Sequence, residues 1–284
     1  MSLITPFDPW QSPLCTCRKK YSLSAYTGCS HGCLYCYASS YIRGFSSPRP
    51  KKDFLSRLEK EIKKMPADST ITISNSSDPY QPLEEKLRLT RSALEIMKDY
   101  EINLLIVTKS DLVTRDVDIL QKFKKKVIAI TLTTIDPALA GKLEPGAASP
   151  QKRLAAIKKL SGMIPIILRL DPLVYPLNTS NLDGIIKEAK LAGVKQIVTS
   201  TYKAKADNFK RMVKAFPEHS RLWNDLYIKE GKKRSNYLYL AKSLREKLIK
   251  KVRDIALAQG LEFSSCREGF SELNTAACDG SSWL

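Results

Sequence analysis

The sequence predicts an α/β protein built from parallel βαβ units, and two observations carry that reading. Six short runs, at residues 22–27, 70–74, 103–108, 127–133, 165–170 and 196–201, are nearly continuous in Ile, Val, Leu and Thr. Such runs suit parallel strands buried on both faces. Between and after them, residues 53–65, 83–99, 112–122, 150–160 and 181–192 carry apolar residues at helical spacing. Asp53 and Ser180 stand where N-caps belong, and Gly193 stands where a helix C-terminus is closed by glycine. Strands alternating with helices imply crossover connections. The pattern alone leaves a closed barrel, a partial barrel and an open doubly wound sheet as alternatives.

Beyond about residue 203 the strand signal stops, and residues 203–215, 221–229 and 236–259 read as helices. The expected organisation is an N-terminal extension with a cysteine pair (1–20), a core (21–202), and a basic helical region with a cysteine-containing tail (203–284). Hydrophobic residues make up 43% and charged residues 27% of the 284. That composition supports a large core and excludes global disorder. No apolar stretch approaches the roughly 18 residues of a membrane span. The start, MSLITPFDPW, lacks a charged segment followed by an apolar one, so no secretory signal is read and a cytoplasmic location is expected. In a reducing compartment the seven cysteines point to metal binding or catalysis rather than disulfides.

Three of those cysteines fall in Gly28-Cys29-Ser30-His31-Gly32-Cys33-Leu34-Tyr35-Cys36, directly after the first predicted strand. Three thiolates on one loop can hold three corners of a 4Fe–4S cube and leave one iron open for a chelating ligand. The plainer readings are a zinc knuckle with His31 as fourth ligand, or three buried cysteines. The C-terminal end of a βα strand is where α/β barrels place their chemistry, which favours the cluster.

This motif, with Tyr35 before the third cysteine, resembles the signature of the radical S-adenosylmethionine (SAM) superfamily. Tyr26 to Ala38, Ser76-Ser77-Asp78-Pro79-Tyr80-Gln81-Pro82, Thr108-Lys109 and Arg169-Leu170-Asp171-Pro172 narrow the likeness to its spore photoproduct lyase-like branch, often labelled DNA repair photolyases. The resemblance covers roughly residues 21–202. It implies a partial (β/α)6 TIM-like barrel and a 4Fe–4S cluster on Cys29, Cys33 and Cys36. It also implies reductive cleavage of SAM to methionine and a 5′-deoxyadenosyl radical, with an electron donor such as ferredoxin or flavodoxin. Carried over to this chain, Tyr35 lies near the adenine, Ser77 and Asp78 face the methionine amino group, and Lys109 meets the carboxylate. Thr133, Arg169 and Ser200 are further candidates for SAM contacts. The plain alternatives are a solvated Lys109 at a strand end and an ion pair between Arg169 and Asp171.

The lyases themselves carry a hydrogen-donating cysteine near the end of strand two. Here that segment is Ser74-Asn75-Ser76-Ser77, which argues against photoproduct reversal by that route. Four other cysteines, Cys15, Cys17, Cys266 and Cys278, lie two at each end of the chain. They match the donor set of a closed four-thiolate site, either zinc or a second iron–sulfur cluster. Domain termini often lie close enough to meet. The alternative is four independent thiols.

The net charge is +18, and residues 203–253 hold 16 Lys and Arg against 5 Asp and Glu, a balance of +11. Lys232-Lys233-Arg234 precede Tyr237 and Tyr239. Cations beside aromatics suit phosphate binding with base stacking, so DNA or RNA is the expected partner. A solvated helix face is the alternative. Two other functions compete: a radical SAM enzyme acting on a protein or small molecule, and a zinc-dependent nucleic-acid-binding protein without catalysis. Trp10 and Trp223 read as packing anchors, and His219 has no assigned role.

Overall fold

The computed structural model describes residues 2–7, 12–73 and 76–284. Trp10, Ser74 and Asn75 lie outside the described residues. An eight-stranded sheet forms the centre, its strands adjacent in sequence order. They are β1 (Thr5–Pro6), β2 (Tyr21–Leu23), β3 (Ser69–Ile73), β4 (Ile102–Thr108), β5 (Lys125–Thr131), β6 (Ile166–Leu173), β7 (Gln196–Thr201) and β8 (Glu262–Ser265). β2 to β8 are parallel, and β1 runs antiparallel to β2. Among the described residues β1 and β8 do not pair with each other, so the sheet is a partial barrel. The six expected strands are β2 to β7.

Helices α1 (Phe54–Ile62), α2 (Pro82–Leu87), α3 (Leu89–Met97), α4 (Val117–Leu120), α5 (Pro137–Leu143), α6 (Pro150–Ser161) and α7 (Leu182–Leu191) fill the connections. Side chains alternate across each strand. Leu104 and Ile106 on β4, Ile128 and Ile130 on β5, and Leu168 and Leu170 on β6 join the helices in the main core. Each such buried side chain contributes about 1.5–3 kcal/mol of burial. Their neighbours Leu105, Val127, Ala129, Ile167 and Val198 point the other way, into the barrel. There they pack with Cys278 and with the partly buried Trp283 and Leu284 of the C-terminal tail. Ser22 and Thr72 stand level with Leu105, and further along the same inward face stand the polar residues Thr131, Arg169, Asp171 and Ser200. The lumen is thus apolar where the tail fills it and polar at the mouth.

Several local expectations need correction. The first expected strand divides: β2 ends at Leu23, and Tyr26–Thr27 pairs with Arg49–Pro50 instead. The helix expected at 83–99 breaks at Arg88, which adopts a positive φ of 51°. A buried carboxylate explains the break, because Glu84 accepts from the Thr90 and Arg91 backbone amides at 2.9 and 3.2 Å and so caps α3. The cap of α7 is Asn181, not Ser180, and Asp53 precedes α1 without a side-chain capping bond. Helix α5 falls outside the expected pattern; Asp136 caps it, and proline follows at its first turn.

The strand signal does not stop at residue 203. Glu262–Ser265 extends the sheet beside β7, and Lys232–Arg234 pairs with Tyr237–Tyr239 as a hairpin. Both escape the sequence pattern because they are short and rich in polar residues. The last long helix therefore starts at Lys242, not Asn236: α8 (Ala206–Ala215) and α9 (Ser220–Trp223) are followed by α10 (Lys242–Ala258). Trp223 is the expected packing anchor, fully buried with its Nε1 donating to the Tyr175 carbonyl at 2.7 Å. Among the described residues no helix is long and apolar enough to cross a membrane.

Candidate active site

Cys29, Cys33 and Cys36 lie on the loop that follows Tyr26–Thr27, at the mouth of the barrel. The loop is held through its backbone. Cys29 N–H donates to the Phe45 carbonyl (2.8 Å), Leu34 N–H to the Leu143 carbonyl (2.9 Å), and Gly146 N–H to the His31 carbonyl (2.8 Å). Gly28, at φ +85°, lets the chain approach this closely, since a Cβ there would stand 2.5 Å from the Phe45 oxygen. A Cβ on Gly146 would stand 2.5 Å from the Ser30 oxygen. Gln81, fully buried, reaches both the Ser30 amide and the Gly28 carbonyl at 3.1 Å. From the far side Asn208 donates to the Tyr35 carbonyl, and Arg211 donates to the Leu34 and Cys36 carbonyls.

The three cysteines line a cavity of about 490 Å³. Tyr35, Ser77, Asp78, Lys109, Arg169 and Ser200 share that lining. Of the expected contacts, Thr133 alone does not line it. Thr133 is buried, its hydroxyl has no hydrogen-bond partner, and Thr131 takes the lining position on β5. Burial pushes the Cys29 thiol up to about 12 and raises the Cys33 thiol further. Lys109 is also buried, which opposes its charge, yet neighbouring Cys33 and the Glu144 and Asp78 carboxylates outweigh that and raise its pKa, the carboxylates being the charges present at neutral pH. Lys109 is therefore a cation at neutral pH, with its ammonium 5.7 Å from the Tyr35 ring centre.

Asp78 is committed mainly to architecture. It accepts from the Thr108 hydroxyl (2.7 Å) and from the Lys109 and Tyr80 amides (2.8 and 2.9 Å), which ties the end of β3 to the end of β4. His31 faces it at 3.6 Å, and burial lowers the histidine's pKa. Ser77 bonds to Ser24 at 2.8 Å. Arg169 does pair with Asp171, at 2.5 Å, and Asp171 also accepts from Ser200 at 2.6 Å. These three residues form one chain of hydrogen bonds along β6 and β7.

A buried network beneath Tyr35 gives no signal in the sequence. The tyrosine hydroxyl donates to Glu144, which pairs with Arg153 at 2.6 Å. Burial opposes the Glu144 charge, but Arg153 and Lys109 overcome it and hold the carboxyl below its ordinary range. A second buried network involves Glu268, which takes Lys203 at 2.7 Å and Arg245 at 2.9 Å. Two cations of the supposed basic surface are thus internal. A charge run in sequence does not show which members find a buried carboxylate.

The four remaining cysteines come together at the same cavity. Cys17 and Cys278 sulfurs are 3.8 Å apart. Cys17 and Cys266 pack against the same apolar cluster as Cys278. Neighbouring Cys278 and the Arg169 charge draw the Cys266 thiol down to about 6, while its two cysteine neighbours and burial push the Cys278 thiol up.

Residues 23–189 match the Radical SAM superfamily. The chain belongs to the radical SAM enzyme superfamily. Membership implies a 4Fe–4S cluster, SAM and a reductant. The donor set fits: three cysteines on one clamped loop, open to a cavity that also presents the Lys109 cation. The radical SAM chain is 33% identical over 160 residues to an uncharacterized protein of Methanocaldococcus jannaschii, covering 55% of this chain and 59% of that one. It is 28% identical over 202 residues to an uncharacterized protein of Acidianus two-tailed virus, covering 62% and 65%. The match thus spans less than two thirds of either relative. Among solved structures, spore photoproduct lyase complexed with dinucleoside spore photoproduct superposes with a TM-score of 0.68 at 17% identity, over 86% of this chain and 75% of that one. That likeness establishes the partial-barrel fold.

Proposed function

We propose that this protein uses Cys29, Cys33 and Cys36 to hold a 4Fe–4S cluster, binds SAM in the adjoining cavity, and acts on a nucleic acid. When bound, the cluster supplies the electron that cleaves SAM to methionine and a 5′-deoxyadenosyl radical. The chain supplies position and charge. Lys109 offers a fixed cation for the SAM carboxylate. Ser77 and Asp78 offer oxygens to its amino group, and Tyr35 offers a ring beside them. Arg169, held by Asp171, and Ser200 present polar groups at the opposite rim. Because most Asp78 lone pairs already serve β3 and β4, its part is to fix the backbone around Lys109 as much as to touch SAM.

The observation that carries the substrate class is the hairpin. Lys232, Lys233 and Arg234 are exposed on its first strand, while Tyr237 on its second lines the same cavity as the three cysteines. Lys205 stands over the rings of both Tyr41 and Tyr237, at 5.6 and 4.6 Å. Cations outside and aromatic rings at the rim suit a phosphate backbone with a base turned inward. One of the structural neighbours holds a dinucleoside photoproduct, which supports the same class. Reversal of that lesion is not proposed, because no cysteine stands at residues 74–77.

The test is anisotropy with labelled DNA and RNA oligonucleotides over a salt series, with wild type and the Lys232→Ala/Lys233→Ala/Arg234→Ala variant. The variant should bind more weakly, with a shallower salt dependence. For each phosphate it no longer neutralises, the slope should fall by up to about 0.9 on duplex or about 0.7 on single strands. Equal affinity and slope for both proteins would remove the hairpin, and with it the support for nucleic acid.

A further inference from the structure

We propose that Cys15, Cys17, Cys266 and Cys278 form a second metal centre with four thiolate ligands, joining the two ends of the described chain against the apolar part of the barrel lumen. The four thiols come from segments some 250 residues apart in sequence, yet they line one cavity, with Cys17 and Cys278 in direct contact. The 3.8 Å between the Cys17 and Cys278 sulfurs equals the edge of a tetrahedron whose metal–sulfur bonds are near about 2.3 Å. Lys20 pairs with Asp279 at 2.6 Å, both side chains buried, which brings the same segments together without the sulfurs. The Thr16 hydroxyl also lies 3.8 Å from the Cys278 sulfur.

Cys17 and Cys266 both pack against the apolar cluster that contains Cys278. Among the described residues no three His, Cys, Asp or Glu side chains converge on one point closely enough for a single ion. That holds for Cys29, Cys33 and Cys36 too, whose family binds a cluster. Turning one torsion moves a cysteine sulfur by a few ångströms, so the outer pair, Cys15 and Cys266, can close on the inner one. Zinc and an iron–sulfur cluster are the occupants that take four thiolates.

The experiment uses the full chain, purified without oxygen after expression with iron and zinc supplied. Iron, sulfide and zinc are measured in wild type and in the Cys29→Ala/Cys33→Ala/Cys36→Ala variant, which removes the proposed SAM-cluster site. The variant should retain metal. Iron with sulfide identifies a second cluster, and stoichiometric zinc with four sulfurs at about 2.3 Å by X-ray absorption identifies a zinc centre. Either result supports the proposal and is independent of SAM cleavage. A folded variant free of both metals overturns it, whether the four residues are then found as thiols or as a Cys17–Cys278 disulfide by mass spectrometry.

A second arm keeps the three loop cysteines and changes Cys15→Ser and Cys17→Ser. Metal content should fall by only the second centre's share, and amide exchange across residues 260–284 should rise at least about tenfold, because metal binding is folding free energy for such a clip. Unchanged metal content in that variant also overturns the proposal.

Discussion

The two groups of cysteines differ in how they are assembled. Cys29, Cys33 and Cys36 share one loop, and that loop is pinned by Phe45, Leu143 and Gly146 through backbone hydrogen bonds. Cys15, Cys17, Cys266 and Cys278 meet only because β8 and the tail return to the N-terminal segment across the barrel. A contiguous motif announces its chemistry in sequence, whereas a site closed by tertiary contacts shows only its donors. The loop should therefore tolerate disturbance of the tail, and the tail should feel every change in the contacts that hold it.

The largest effect expected is at the loop. Replacing Cys29, Cys33 or Cys36 by Ala should reduce 5′-deoxyadenosine production to background, measured by chromatography with reduced protein and SAM. Any variant that keeps full production breaks the assignment of the loop as cluster ligand. At the tail, Glu268→Gln leaves Lys203 and Arg245 buried without their carboxylate charge. Removing one partner of a buried pair costs about 3–5 kcal/mol. Denaturant unfolding should show that deficit, while iron bound at the loop in the folded protein stays unchanged. A decline of loop iron in step with stability would show that the two regions are not separable.

Lys109→Ala sharpens the comparison from the loop side. Removing one charged hydrogen bond of about 1.5–3 kcal/mol should weaken SAM binding roughly 10- to 150-fold, read by calorimetry at constant cluster content. Unchanged affinity would take Lys109 out of the site.

The smallest effect is on the shape of the stability–pH curve, beyond the pH-independent loss that leaving buried Arg153 without its partner charge causes. Arg153 and Lys109 hold Glu144 below its ordinary pKa despite burial. A carboxyl depressed in the folded state contributes stability that is full above its unfolded value of about 4.3 and is lost as pH falls through the lower folded value. Glu144→Gln should therefore flatten the acid limb of a stability–pH curve and leave the neutral region parallel. An unaltered acid limb would show that the depressed pKa has no bearing on folding.

Much of the barrel is legible because parallel strands buried on both faces write themselves as runs of Ile, Val and Leu. Residues 102–108 and 196–201 match the expected strands almost to the residue. Glu262–Ser265 is invisible because half of it is serine, and its pairing partner, Gln196–Thr201, lies over 60 residues earlier. Lys109 stands out by following an apolar strand, and Arg169 as the one cation within another. Glu144 and Arg153 do not, because each lies in a polar stretch and only the fold puts one beneath Tyr35. Thr133 lies two residues too far along: β5 ends at Thr131, so it is Thr131 that faces the cavity. The pairing of Arg169 with Asp171 follows directly from their i, i+2 spacing on one strand face.

The clamp on the cysteine loop has a thermal consequence. The backbone hydrogen bonds that hold it come from Phe45, Leu143, Gly146, Gln81, Asn208 and Arg211, and they do not pass through a cysteine sulfur. Loop shape is thus independent of what the sulfurs carry. Reloading a stripped sample should order little chain and hide little fresh apolar surface, so its heat-capacity change should lie near zero. That separates it from metal-folded domains, in which capturing the ion and folding the chain are a single event. A loop whose thiols have been oxidised in air should accordingly be restored in the folded protein by a thiol reductant with iron and sulfide, with no refolding step.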